Sequence, residues 1–185
     1  MVFIGLDPSL TATGVVVISE DYQILHKDVL STPIFGVERL YHLEVKLNKI
    51  LDKYKKEPKF SAIERGAYKE EGRIFDLGEW SGVLKVNIFK REVDTIVVAP
   101  LQLKKYVTGK GVSKGKAVIL LDIYKYWKEE FRDDNLADAY VLARICHDYY
   151  YTFRSKEEKN LNLKRYQVEV LKKIYEEHDK IKVVI

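Results

Sequence analysis

Cysteine is almost absent from this sequence, with Cys146 the single example in 185 residues. One thiol cannot close an internal disulfide, which excludes a small disulfide-stapled scaffold and fits a reducing compartment. Its expected role is a buried thiol on a helix rather than a nucleophile. No apolar run approaches the roughly 20 residues that span a bilayer. A basic segment followed by a long apolar stretch is also missing from the N-terminus, so no signal peptide is expected. The expected location is therefore the cytoplasm, or the host cytoplasm for a viral protein. Internal repeats and low-complexity linkers are lacking too, which argues against a second domain. Glutamine is scarce and methionine occurs once, while Lys and Glu abound. That balance leans towards a hot habitat.

What is present is ordinary for a folded chain: 46% hydrophobic and 32% charged residues. The length suits one domain with a substantial core. A net charge of +4 is too mild to establish a nucleic-acid partner, but its distribution is uneven. Between Ala99 and Leu121 stand Lys104, Lys105, Lys110, Lys114 and Lys116, with no acid among them. Such a patch either neutralises phosphates or forms a solvated face.

The apolar pattern predicts strands at Val2–Leu6, Gly14–Ser19 and Gln23–Val29. Apolar residues at 37, 40, 43, 47, 50, 51 and 54 have helical spacing, and Pro58 ends that helix. A short buried strand is expected at Phe60–Glu64, a helix from Gly72 to about Val93, and a strand at Thr95–Ala99. Pro100 suits the first turn of a short helix that ends near Gly109. Further helices are expected at Lys116–Lys128 and from a cap at Asp133 or Asp134 to about Tyr151. Beyond Phe153, Tyr166, Val170, Leu171 and Ile174 mark an appended helix outside the core. This order reads as a three-layer α/β fold with a mixed sheet.

Three acids arrive on three separate segments of that fold. Asp7 ends the first apolar run, Glu64 ends the short buried strand, and Asp138 sits early in a late helix. Alone, Asp7 reads as a turn former or helix cap, and Glu64 as an ion pair with Arg65 or another cation. Asp138 lies among apolar or small neighbours, where an acid is costly to bury without a partner. Brought together at one sheet end, they would repel unless a cation joined them. Oxygen-only ligation points to Mg²⁺, with Mn²⁺ able to substitute, and to metal-assisted phosphodiester cleavage. Asn135 lies three residues before Asp138 on the same helical face, so its amide oxygen is a candidate fourth ligand. Asp134 is the alternative, with capping its favoured role.

These residues resemble the RuvC family of Holliday junction resolvases, within the RNase H-like superfamily. Phe3-Ile4-Gly5-Leu6-Asp7-Pro8-Ser9 with Thr13-Gly14 looks like that family's first-strand signature, and Ala62-Ile63-Glu64 is similar to its second acidic motif. Leu77-Gly78-Glu79-Trp80-Ser81-Gly82-Val83, Val107-Thr108-Gly109-Lys110-Gly111 and Ala137-Asp138-Ala139 complete the set in order over about residues 2–150. The resemblance implies an RNase H-like nuclease domain at 1–153, with 154–185 a helical C-terminal extension of the same domain. It also implies a homodimer that nicks two strands of a four-way DNA junction symmetrically. Tyr68 would stack on an unpaired base, Lys114 or Lys116 would approach the scissile phosphate, and Lys104, Lys105 and Lys110 would contact the DNA backbone. Gly78, Ser81 and Gly82 would permit close helix approach, either between subunits or onto the same subunit's sheet. Two features depart from the family pattern. Asn135 stands where the family usually has an acid or histidine. The segment after Phe153 has no counterpart in the minimal fold, and it is open to dimerisation, DNA arms, a partner protein or mere cover of the core.

Three other functions compete. The ATP-binding fold of sugar kinases and actin also pairs an aspartate with a Gly-rich hairpin, but needs two lobes. A nuclease of similar fold acting on RNA, flaps or forks would use the same acids. A binder that recognises junctions without cutting them would gain nothing from acids clustered beside phosphates.

Overall fold

The computed structural model describes residues 1–182 apart from Leu10, Pro58, 67–73 and 112–114. Tyr68 and Lys114 lie outside the described residues, and only the backbone placement of Lys116 is described. Five strands form one sheet: β1 (Val2–Asp7), β2 (Thr13–Ser19), β3 (Ile24–Leu30), β4 (Lys59–Glu64) and β5 (Asp94–Val98). The helices are α1 (Gly36–Lys53), α2 (Ile74–Lys90), α3 (Pro100–Thr108), α4 (Lys116–Trp127), α5 (Asp134–Phe153) and α6 (Arg165–Lys182). Strand order is β3-β2-β1-β4-β5. The first three strands form an antiparallel meander, while β4 and β5 continue parallel to β1. This is the expected mixed sheet in a three-layer α/β fold.

Strand alternation divides the core. Val2, Ile4 and Leu6 pack with Leu43, Leu47, Trp80, Leu84 and Ile88 under α1 and α2. Phe3, Phe60, Ala62, Ile96 and Val98 pack on the other face, with Ala139, Leu142, Ala143 and Cys146 of α5. Both faces of β1 are buried, which is why its sequence is a continuous apolar run rather than an alternating one. Cys146 is the buried helical thiol expected, and burial pushes its pKa well up.

Several boundaries and placements differ from the sequence reading, among them β5, which runs Asp94–Val98 rather than Thr95–Ala99. α2 ends at Lys90, because Arg91 and Glu92 form a turn with Glu92 at φ +55°. β3 starts at Ile24, after a turn with Tyr22 at φ +62°. Of the two cap candidates, Asp133 is the one that caps α5, its carboxylate accepting from the Leu136 amide at 3.1 Å. Asp134 therefore does not take the capping role favoured for it. The helix expected outside the core is α6, and it belongs to the core: Val170, Leu171 and Ile174 are buried in the α5-side cluster. Gln167 also donates to the Tyr106 carbonyl of α3 at 3.3 Å.

The C-terminal half of α5 is anchored by a buried polar network. Tyr22 and Tyr106 both donate to Asp148, whose carboxylate also meets His147 Nδ1 at 2.7 Å. Burial first, and the Asp148 charge second, hold both phenols above their usual pKa. Arg144 stacks between Tyr22 at 3.9 Å and Trp127 at 4.3 Å. Anchoring Asp148 fixes where Asp138, ten residues earlier on the same rigid helix, lies, about 15 Å away at 1.5 Å per residue.

Candidate active site

Because β1 and β4 are parallel neighbours with Leu6 opposite Ile63, Asp7 and Glu64 end adjacent strands at one sheet edge. Asp7 continues the Phe3–Gly5 set and Glu64 the Phe60–Ala62 set, so both carboxylates fall on the α5 face. Their side chains hydrogen-bond to each other. Asp7 is only 7% exposed. Burial raises the Glu64 carboxyl above its ordinary range, against smaller opposing effects of the Asp7 hydrogen bond and the Lys104 charge. A close carboxylate pair in such a place holds either a shared proton or a cation. The cation beside Glu64 is Lys104 of α3. Arg65 instead faces Glu177 of α6 at 3.5 Å.

The turn after Asp7 is braced from below. Thr13 Oγ1 donates to the Ser9 carbonyl at 2.8 Å and accepts from Trp80 Nε1 at 2.8 Å. Trp80 thereby ties α2 to the turn that aims Asp7. Sequence reasoning missed this brace; its available signal was a threonine just before the glycine opposite Asp7.

Close approach of α5 supplies the remaining candidates. Gly14 pairs with Asp7, and a Cβ there would sit 2.1 Å from the Asn135 carbonyl oxygen. The first turn of α5 therefore lies directly over the strand end. Asn135 Nδ2 donates to Asp133 at 3.2 Å, which leaves the amide oxygen for another partner. Asp138, one turn on, lines a small cavity with Asp134, Ala137, Ile119 and Leu120. The structure thus brings Asp7 to Glu64 and Asp134 to Asp138. Among the described residues, no three His, Cys, Asp or Glu side chains group closely enough to hold one ion.

The other expected contacts are dispersed. Lys105 pairs with Glu169 of α6 at 3.0 Å, and Lys110 is exposed beyond the α3 C-cap. Gly78 and Gly82 do not pack on their own sheet: among the described residues nothing lies against either, while Trp80, Ser81 and Leu84 turn inwards. No helix among the described residues is long and apolar enough to cross a membrane.

Residues 3–147 match the family model for crossover junction endodeoxyribonuclease RuvC. The chain belongs to the RuvC family. It is accordingly an endodeoxyribonuclease with the family's RNase H-like fold. Its similarity to RuvC of Hydrogenovibrio crunogenus is 26% identity, covering 84% of this chain and 92% of that protein. RuvC of Petrotoga mobilis is 27% identical, with 80% and 93% covered. Among solved structures, Thermus thermophilus RuvC in complex with a Holliday junction substrate superposes with a TM-score of 0.66 at 26% identity. That match covers 77% of this chain and 90% of the other. A second Thermus thermophilus RuvC structure gives a TM-score of 0.67 at 25% identity, with 82% and 95% covered. Membership in RuvC sets aside both the two-lobed ATPase reading and the non-cleaving binder.

Proposed function

We propose that this RuvC-family enzyme resolves four-way DNA junctions by paired, symmetric nicks through metal-dependent phosphodiester hydrolysis. The observation that carries the reading is the pairing of buried Asp7 with half-buried Glu64, held at a strand end beneath the first turn of α5. The donor set fits a hard divalent cation, since every candidate ligand is an oxygen and two carboxyls meet at one strand end. Asp7, Glu64 and Asp138 would hold the cations, with Asn135 or Asp134 completing a site. Two such cations, Mg²⁺ or Mn²⁺, supply water activation on one side of the phosphate and leaving-oxygen stabilisation on the other. The chain's own residues orient that chemistry. Trp80 and Thr13 hold the Asp7 turn, Lys104 limits the charge around Glu64, and α5 keeps Asp138 within a turn of Asn135. Lys114 or Lys116 would offset charge at the scissile phosphate, and Tyr68 would stack on an unpaired crossover base.

A synthetic four-way junction, with each strand end-labelled in turn, tests this in Mg²⁺ and in EDTA. Nicks at symmetry-related positions in Mg²⁺, lost in EDTA, are the expected result. Single nicks spread over flaps, forks and RNA–DNA hybrids would replace it with a broader structure-selective nuclease.

Paired nicks need two sites, and α2 offers the surface for a second copy. Phe75, Gly78, Gly82, Val86 and Phe89 follow one outward stripe, with Phe75 85% and Phe89 82% exposed. A contiguous exposed apolar stripe marks an interaction site, and its glycines allow another backbone close approach. The double variant Gly82→Arg/Phe89→Glu is expected to convert a dimer to a monomer in light scattering and to uncouple the two nicks. A monomeric parent protein would remove the dimer from this reading.

A further inference from the structure

We propose that α6 builds, with the ends of α3 and α4, a second DNA contact: a strip of cations and tyrosines that grips the backbone of a duplex arm. The proposal rests on the junction reading above and adds to it α6 and Lys164, which lie outside the matched residues 3–147. Lys164 Nζ lies 3.2 Å from the Tyr126 ring centroid of α4 and 5.8 Å from that of Tyr166. Tyr166 in turn packs over Gly109, the left-handed C-cap of α3, where a Cβ would meet its ring at 3.3 Å. Lys110 follows on the exposed side, and Arg165 is 93% exposed. The strip is continuous with the acid site, because Lys104 beside Glu64 lies on α3 about 7–8 Å along the helix from Gly109.

Three observations separate this strip from an ordinary solvated face. Lys164 and Arg165 sit at the start of α6, whose first turn contains no acid. The helix dipole disfavours cations there, so their placement runs against the dipole rather than with it. Their charge also goes largely uncancelled. Glu169 is the one acid among these residues, and it is shared between Lys105 at 3.0 Å and Arg165 at 3.3 Å. Finally, tyrosine hydroxyls interleaved with cations suit phosphate oxygens, which take most protein–DNA hydrogen bonds. A continuous duplex backbone matches a linear strip better than a compact anion does.

The test compares the full-length parent with Lys164→Gln/Arg165→Gln, using junctions with short and long arms and a linear duplex across a salt series. A Lys55→Gln/Lys56→Gln variant removes the same charge from exposed positions beyond the end of α1, outside the strip. The strip variant is expected to bind long-armed junctions about tenfold more weakly near 0.1 M salt, with a log–log salt slope shallower by about 2. The control should show a smaller change, and short-armed junctions should show little. Glu169→Gln, which frees Lys105 and Arg165, should tighten binding severalfold. Equal slopes for parent and strip variant, with both still nicking junctions, overturn the strip and leave the junction reading intact. Weakened duplex binding by the strip variant, with no junction nicking by the parent, keeps the strip as a DNA surface and sinks the junction reading.

Discussion

Asp7→Asn is expected to lower junction nicking by at least about 10³-fold while leaving junction binding intact or tighter. The substitution removes one charge from the buried member of the carboxyl pair without changing side-chain shape. It therefore removes cation-binding power while easing the repulsion that these acids present to DNA phosphate. The same change should stabilise the metal-free protein by about 1 kcal/mol, or about 2–4 °C in Tm. The introduced amide would still hydrogen-bond Glu64, and one source of like-charge repulsion would be gone. Nicking at the normal rate by this variant would remove Asp7 from the site.

The pH dependence follows from Glu64, whose carboxyl burial raises in the folded state. The folded protein then binds more protons than the unfolded chain between the ordinary glutamate range and the raised folded value. Stability of the metal-free protein accordingly falls as pH rises through that window. A divalent cation bound at Glu64 would replace the proton, so metal affinity and the metal-induced gain in Tm should both rise with pH over the same interval. Thermal melts with and without Mg²⁺ at several pH values measure both. A metal-induced gain that shrinks with rising pH would contradict the placement of Glu64 in the cation site.

Much of this site is legible in the sequence because its placement follows from strand geometry. Asp7 and Glu64 each end an apolar run, and a parallel pair puts its C-terminal ends at one edge. What the sequence conceals depends on packing across large separations. Val170, Leu171 and Ile174 show helical spacing, but nothing local reveals that α3 and α5 offer them a common core. Lys104 reads as a DNA contact like its neighbours; only the short passage from β5 into α3 places it beside Glu64. The choice of Asp133 over Asp134 as cap is similarly invisible, since adjacent aspartates differ only in which one takes the extended backbone before the helix. Glu64 shows the same limit from the other side, because Arg65 is its sequence neighbour yet pairs with Glu177, 112 residues away.

Gly5→Ala should cause the largest loss of stability of any single methyl added to this protein's sheet. A Cβ at Gly5 would lie 1.8 Å from the Ala139 carbonyl oxygen and 2.4 Å from the Ala143 amide nitrogen. Both atoms are α5 backbone, so no side-chain rotation relieves the overlap. The helix has to retreat, but its far half is held by the Asp148 network and by packing against α3, α4 and α6. Forced overpacking of this kind costs about 3 kcal/mol at the upper end of its usual range. Against a total stability of about 5–15 kcal/mol, that is a fall of about 6–12 °C in Tm. Gly14→Ala makes the same collision nearer the helix start, 2.1 Å from the Asn135 carbonyl oxygen. There the first turn of α5 can yield locally, carrying Asn135 and Asp138 away from Asp7. The two variants should therefore part company: Gly5→Ala loses stability first, while Gly14→Ala loses nicking at temperatures where it remains folded. Denaturant titration beside junction cleavage distinguishes them. A cost below about 1 kcal/mol for Gly5→Ala would show that α5 does not lie on β1 as closely as described.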